Sequence, residues 1–220
     1  MGMLAAALLL APAAPSAVYA MQSSITPSFS CEGRLSPTET AICQDFELAA
    51  WDRAMAKIYP LLKKQSEITL SEHRRWLGQR DACGAAAKCI LSAYRKWPGF
   101  DANVPSIGSS FHRKDTDFDD TADMTVLHIF GDWYYFSIIA LHVQVPPEGV
   151  NDGQAWGLIE LKNGKATYDE APGEDYSCRF HLQRISASHW SVEEFGENTV
   201  CGGLNVFLTG DYVRSACSRH

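Results

Sequence analysis

The chain has 220 residues, 46% of them hydrophobic and 20% charged, with a formal net charge of −7. These figures exclude wholesale disorder and leave room for one large or two small packed domains. The acidic balance excludes a nucleic-acid partner, which needs a concentrated positive surface, and favours a basic one.

In chain order, residues 1–20 read MGMLAAALLLAPAAPSAVYA: no charge, a short apolar run and small residues at the end. This predicts a secretory signal cleaved after Ala20, although its start lacks the usual Lys or Arg. Pro12 and Pro15 break the run, which falls short of the roughly 20 apolar residues of a spanning helix, so no stable membrane insertion is expected after cleavage. The residues before Cys31, Pro27-Ser28-Phe29-Ser30, are not the small, aliphatic box that precedes a lipid-anchored cysteine. Seven cysteines without metal-type CxxC spacing then predict disulfides in an oxidising compartment, periplasmic or secreted, and no bound metal or cofactor.

Helices follow. Ser36-Pro37-Thr38-Glu39 carries a capping box and a Pro at the first helical position, and starts a short helix bearing Cys43. Asp45 caps a second helix, on which Leu48, Trp51, Met55, Ile58 and Leu62 recur at steps of three and four as a core-facing stripe. Pro60 inside it predicts a kink or an early end. A polar turn at about Gln65 to Thr69 leads to a second capping box, Thr69 with Glu72. The return helix carries Trp76, Leu77 and Cys83, and a last short helix runs from about Lys88 to Trp97. Folding back at the turn puts Cys43 opposite Cys83 and Cys31 opposite Cys89, so a nested pairing is expected. The crossed pairing needs the helices to slide by several turns, and four cysteines permit three connectivities.

The runs FSC, SPTETAIC, DFELAAWDRAMAKIY and RRWLGQRDACGAAAKCILSAY together resemble the family of the N-terminal domain of the lysozyme inhibitor LprI. The resemblance covers about residues 28 to 95 and rests on four cysteines in register with Trp76, Arg80 and Asp81. Departures are Trp51 in place of the usual Leu and Phe46 where Pro is common. The resemblance implies an exported, disulfide-bonded helical domain over 28–97. Arg80 and Asp81 are candidate partner contacts; the plainer reading has Arg80 bridging the helices, for example to Asp52, while Asp81 faces water. Tyr59 and Trp76 read as helical core.

From 98 to 122 the chain collects Gly, Pro, Ser and Asp and reads as a linker. Its acidic run Asp115, Asp117, Asp119, Asp120 fails as a calcium loop, since it lacks the required Gly and closing Glu, and is expected to be a solvated loop. Over 123–217 the period switches to two. Strands are expected at Met124 to Phe130, Trp133 to Val145, Trp156 to Leu161, Ala166 to Asp169, Cys178 to Ile185, His189 to Glu194, Thr199 to Phe207 and Gly210 to Arg214. Gly131-Asp132 and Asn163-Gly164 are the hairpin turns. In the second strand Ile139, Leu141, Val143 and Val145 alternate with Ala140, His142 and Gln144, the pattern of one wet face. The fold class expected is thus α+β: a disulfide-stapled N-terminal α-helical hairpin followed by a small antiparallel β-barrel-like domain, with a sandwich as the alternative arrangement of the strands.

The signals Trp156-Gly157, Cys178-Arg179-Phe180, Cys201-Gly202-Gly203 and Gly210-Asp211-Tyr212 are loosely similar to the small barrels of periplasmic inhibitors of c-type lysozyme. That similarity implies a Cys178 to Cys201 bridge, leaving Cys217 over. No phosphate loop, HExxH or GxSxG motif is present, and no catalytic residue is assigned. His128, His142 and His181 could meet on one barrel face, but the ordinary reading is solvent-facing strand histidines. The function expected is a non-enzymatic exported binding protein that inhibits a basic protein such as a lysozyme by occluding its cleft, with the loops at Asp115 to Asp123 and Pro146 to Asp152 as the exposed candidates. The alternatives are a carrier holding an apolar ligand among Trp133, Tyr135, Phe136 and Trp156, or a structural envelope protein.

Overall fold

The computed structural model describes residues 25–100, 108–114, 120–143 and 149–214. The expected signal, Asp115, Asp117, Asp119 and Cys217 lie outside them.

Four helices come first: α1 (Pro37–Gln44), α2 (Phe46–Lys64), α3 (Leu70–Asp81) and α4 (Ala87–Arg95), followed by a 3-10 turn at Pro98–Phe100. Both capping boxes form, Ser36 with Glu39 and Thr69 with Glu72, and Asp45 accepts from the backbone amides of Glu47 and Leu48. The stripe Leu48, Trp51, Met55, Ile58 and Leu62 is buried. α2 runs through Pro60 to Lys64 instead of ending there. Ile58 and Leu62, buried on either side, offset the roughly 3 kcal/mol that an interior proline costs.

The disulfides are local. Cys31 pairs with Cys43 and Cys83 with Cys89, with Cα separations of 5.8 and 5.6 Å, in place of the expected nested pairs Cys31 with Cys89 and Cys43 with Cys83. The backbone at Asp45 is extended, so Cys43 belongs to a helix of its own and is bridged to the irregular, bend-rich segment before it. The short α3–α4 connection likewise brings Cys83 against Cys89. No bridge therefore spans the hairpin.

What spans it is a buried polar cluster. The Tyr94 hydroxyl donates to Asp52 Oδ1 at 2.9 Å, Arg80 Nη1 lies 3.8 Å from the same oxygen and 3.3 Å from the Tyr94 oxygen, and the Ser28 amide donates to Asp52 Oδ2 at 2.7 Å. Removing Asp52 or Arg80 alone would strand a buried charge, an effect of about 3–5 kcal/mol. Arg80 is thus the bridge to Asp52, while Asp81 holds it from the rim through Oδ1 at 2.8 Å. Around the cluster lie stacked rings: His73 sits 3.8 Å from the Tyr59 ring and 5.8 Å from that of Trp76, with no partner for Nδ1 among the described residues.

Eight strands follow: β1 (Ser109–Arg113), β2 (Asp120–Phe130), β3 (Trp133–Val143), β4 (Val150–Glu160), β5 (Lys165–Asp169), β6 (Arg179–Ser186), β7 (His189–Glu194) and β8 (Gly210–Arg214). They form one antiparallel sheet in the order β4-β3-β2-β1-β8-β7-β6-β5, a nearly closed barrel with a seam between β4 and β5. Every strand sends side chains inside, among them Phe111, Met124, Phe136, Ile159, Tyr168, Phe180, Trp190 and Tyr212. The stretch read as a linker supplies β1, which joins the two halves of the sheet by pairing with β2 and β8. Thr199 to Phe207, read as a strand, is a loop. Asn205 has φ 62°, and a Cβ on Gly202 would lie 2.6 Å from the Cα of Gly153, so only glycine fits where this loop crosses β4. The third bridge, Cys178 to Cys201, ties this loop to the start of β6. In β3 the period is two but the faces are reversed: Phe136, Ile138 and Ala140 point in, and Leu141 and Val143 are exposed. Both alternating sets are apolar there, so the pattern alone does not choose a face.

The helices cover the outer face of β2–β4. Phe100 stacks on Tyr135 at 5.3 Å and meets Trp97 and Trp51 edge-on at 4.8 and 5.0 Å, and Lys57 Nζ donates to the Ile129 carbonyl at 2.9 Å. Helix and sheet residues thereby share one buried cluster.

Two outcomes are expected. Tryptic digestion of the oxidised protein should yield the peptide ending at Arg34 linked to Leu35–Arg53, and Asp81–Lys88 linked to Cys89–Arg95; a Leu35–Arg53 to Asp81–Lys88 link would restore the nested pairing. Burial, and secondarily the Arg80 charge, lower the His73 pKa, so the unfolded chain takes up this proton first as pH falls. Stability is then lost below the unfolded value of about 6.5. The melting temperature of His73→Phe should fall less than that of wild type between pH 7.5 and 5.5; parallel pH profiles would contradict this.

Candidate functional site

The covering helices stop short of the seam, and a groove opens there. Its floor is Trp133 of β3 with Trp156 and Leu158 of β4; Phe46, Glu47, Trp51 and Arg95 form the helical wall, and Thr167, Tyr168, Asp169, Glu170 and Pro172 the other. The groove holds about 580 Å³. Past Trp133, Leu158 and Thr167 it continues into a second depression of about 720 Å³ over the outer face of β5–β7, lined by Glu160, Lys162, Lys165, His181, Gln183, Ser191 and Glu193 among others.

Each wall has a local cause. The Asp45 cap fixes Phe46 at the first helical position, where it remains exposed and meets Trp133 edge-on at 5.5 Å. Glu47 lies in the first turn of α2 and Arg95 in the last turn of α4, where their charges suit the helix dipoles. Arg95 crosses the mouth, with Nη2 3.5 Å from Glu47 Oε1 and Nη1 donating to the Glu170 carbonyl at 3.3 Å.

The seam itself is held apart by Tyr168. Among the described residues no ladder joins β4 to β5; the backbone pair Lys162–Lys165 closes their turn, and farther out the Tyr168 hydroxyl donates to the Trp156 carbonyl at 3.0 Å. Gly157 makes room for it: a Cβ there would lie 2.9 Å from the Tyr168 ring. Burial, followed by the charge of Glu170, pushes the Tyr168 pKa up, so the hydroxyl stays a donor at all physiological pH.

The sequence-derived candidates are dispersed. Arg80 is buried in the helical cluster, which removes its guanidinium from a partner's reach, whereas the Asp81 side chain is about half exposed. Asp120 opens β2 and lies 2.5 Å from His142 Nδ1. Neither Arg80, Asp81 nor Asp120 lines the groove. His128, His142 and His181 do not meet: they contact the Gly131 carbonyl, Asp120 and Thr167 respectively. Of the four aromatics read as a ligand cage, Phe136 points into the barrel, Tyr135 lies under the helices, and Trp133 and Trp156 both reach the groove. Phe46, Glu47, Arg95 and Glu170 were not read as site residues from the sequence, Phe46 being noted only as a departure from the family pattern; the one available signal was a large aromatic directly after a helix cap. The chain matches no protein-family model, no curated protein and no solved structure.

Tyr168→Phe should cost about 0.5–1.5 kcal/mol, the worth of one hydrogen bond, and should speed amide exchange in β5. Unchanged stability and exchange would mean that the hydroxyl does not hold the seam.

Proposed function

We propose that this chain is a non-enzymatic binding protein, periplasmic or secreted, that recognises a basic protein partner through the groove at the helix–sheet junction and acts by occluding that partner's working surface. The observation that carries the reading is the groove: exposed Phe46 and half-buried Trp133 and Trp156 line a cleft with a polar rim, the composition of an interface hot spot. The barrel interior, by contrast, is packed with side chains from every strand, which favours a surface site over an internal apolar one. The net charge of −7 supports steering toward a basic partner, and three disulfides support folding in an oxidising compartment. Among the described residues no helix is long and apolar enough to cross a membrane. The resemblance of residues 28 to 95 to the LprI N-terminal domain family makes lysozyme the first partner to test.

In a cell-wall clearing assay, the oxidised protein should inhibit one or more of the c-, g- and i-type lysozymes dose-dependently, and lose this on reduction. Phe46→Ala should weaken inhibition by about tenfold or more, as expected for an interface anchor, with the melting temperature nearly unchanged. Absence of inhibition of all three classes would remove lysozyme as the partner.

A further inference from the structure

We propose that the groove is a binding site for a single cationic side chain, an arginine or lysine projecting from the protein partner. The inference deepens the function proposed above and rests on it only for the source of the cation.

Three features converge. Phe46, Trp133 and Trp156 place three aromatic rings along one floor and wall, and a cation over such rings is attracted by their quadrupoles. Carboxylates stand at the rim. Asp169 is already neutralised by Arg179 at 3.3 Å, but the Glu170 carboxylate has no partner among the described residues, and Glu47 has only a contact at 3.5 Å. The third feature is Arg95, the chain's own cation at the mouth of the groove. Its guanidinium reaches Glu170 O and Glu47 Oε1 at 3.3 and 3.5 Å, the long end of hydrogen-bond range, and its side chain is 43% exposed. The rim of the groove therefore accommodates a guanidinium and holds its resident one loosely. The positive end of α2, which would oppose a cation, is countered by the Asp45 cap and by Glu47 itself.

A partner's arginine enters over Trp133 and Trp156, takes the Glu170 carboxylate and shares or displaces Arg95 at Glu47. Partial exclusion of water by the aromatic floor raises the worth of that ion pair above that of an open surface pair. A neutral side chain of the same shape gains the stacking and none of the charge term.

The test uses the full mature oxidised protein and the probe Ac-Gly-Gly-Arg-Gly-Gly-NH2, followed by the indole N–H resonances of the tryptophans. Expected are saturable shifts that fade with salt, at least threefold weaker binding in Glu170→Gln and severalfold tighter binding in Arg95→Ala, in line with exposed cation–π and ion-pair magnitudes of about 0.5–1 kcal/mol. The citrulline counterpart of the peptide should bind several times more weakly. No saturable shift in either wild type or Arg95→Ala, or equal binding of the citrulline peptide, overturns the site. Binding of putrescine as tight as that of the peptide would assign the groove to free polyamines and overturn the partner-derived cation. The two proposals separate cleanly: peptide binding without lysozyme inhibition leaves the site and removes that partner, while lysozyme inhibition without peptide binding removes the site alone.

Discussion

The stacking of Phe100 on Tyr135 is the contact on which the arrangement of this protein depends. Phe100 ends the helical region and Tyr135 lies on the outer face of β3, so one aromatic pair sets where the helices sit on the barrel. Trp97 and Trp51 close around it edge-on, and each such pair is worth about 0.5–1.5 kcal/mol beyond its buried area. Because the helices cover β2–β4 and stop before the seam, Trp133 and Trp156 are left at the border between covered and open surface. The groove is a consequence of that docking.

Within the helices, covalent and noncovalent ties divide the work. Cys31–Cys43 and Cys83–Cys89 close loops with sequence separations of only 12 and 6, which restrict the unfolded chain less than a long loop would. They fix local turns. The connection between α2, α3 and α4 is left to Asp52, Arg80 and Tyr94, whose buried charges are matched to one another and to Ser28. The third bridge, Cys178–Cys201, has a separation of 23; it anchors the long loop that crosses β4 and so belongs to the barrel's closure rather than to the helices.

The barrel closes through β1 and β8 and stays open between β4 and β5, although these are joined by the clearest hairpin turn in the chain. The reason is steric. Tyr168 is too large for the space beside its neighbour unless that neighbour is Gly157, and once its hydroxyl has reached the Trp156 carbonyl the strands stand a side chain apart instead of a hydrogen bond apart. An unzipped seam running past aromatic residues gives this surface a concavity that a fully paired barrel lacks, and concavity is what allows a few side chains to surround a ligand group.

Helix starts, the buried stripe of α2, most strand positions and the hairpin turns were determined by the sequence alone, because caps, periodicity and turn residues act within a few positions of one another. For Arg80 the sequence left two roles open, partner contact or bridge to Asp52, and the buried cluster decided for the bridge. The helical disulfide partners, β1, the loop at Thr199 to Phe207, the inward face of β3 and the groove were decided by tertiary structure. Each depends on which distant surfaces meet: a break at Asp45 that detaches Cys43 from α2, a short strand paired on both sides, glycines admitted only where two backbones touch, and helices that shelter one end of a sheet. Phe46, Glu47, Arg95 and Glu170 are spread over more than 120 positions, and no pattern within a single element connects them; only the docking of helix on sheet brings them to one cleft.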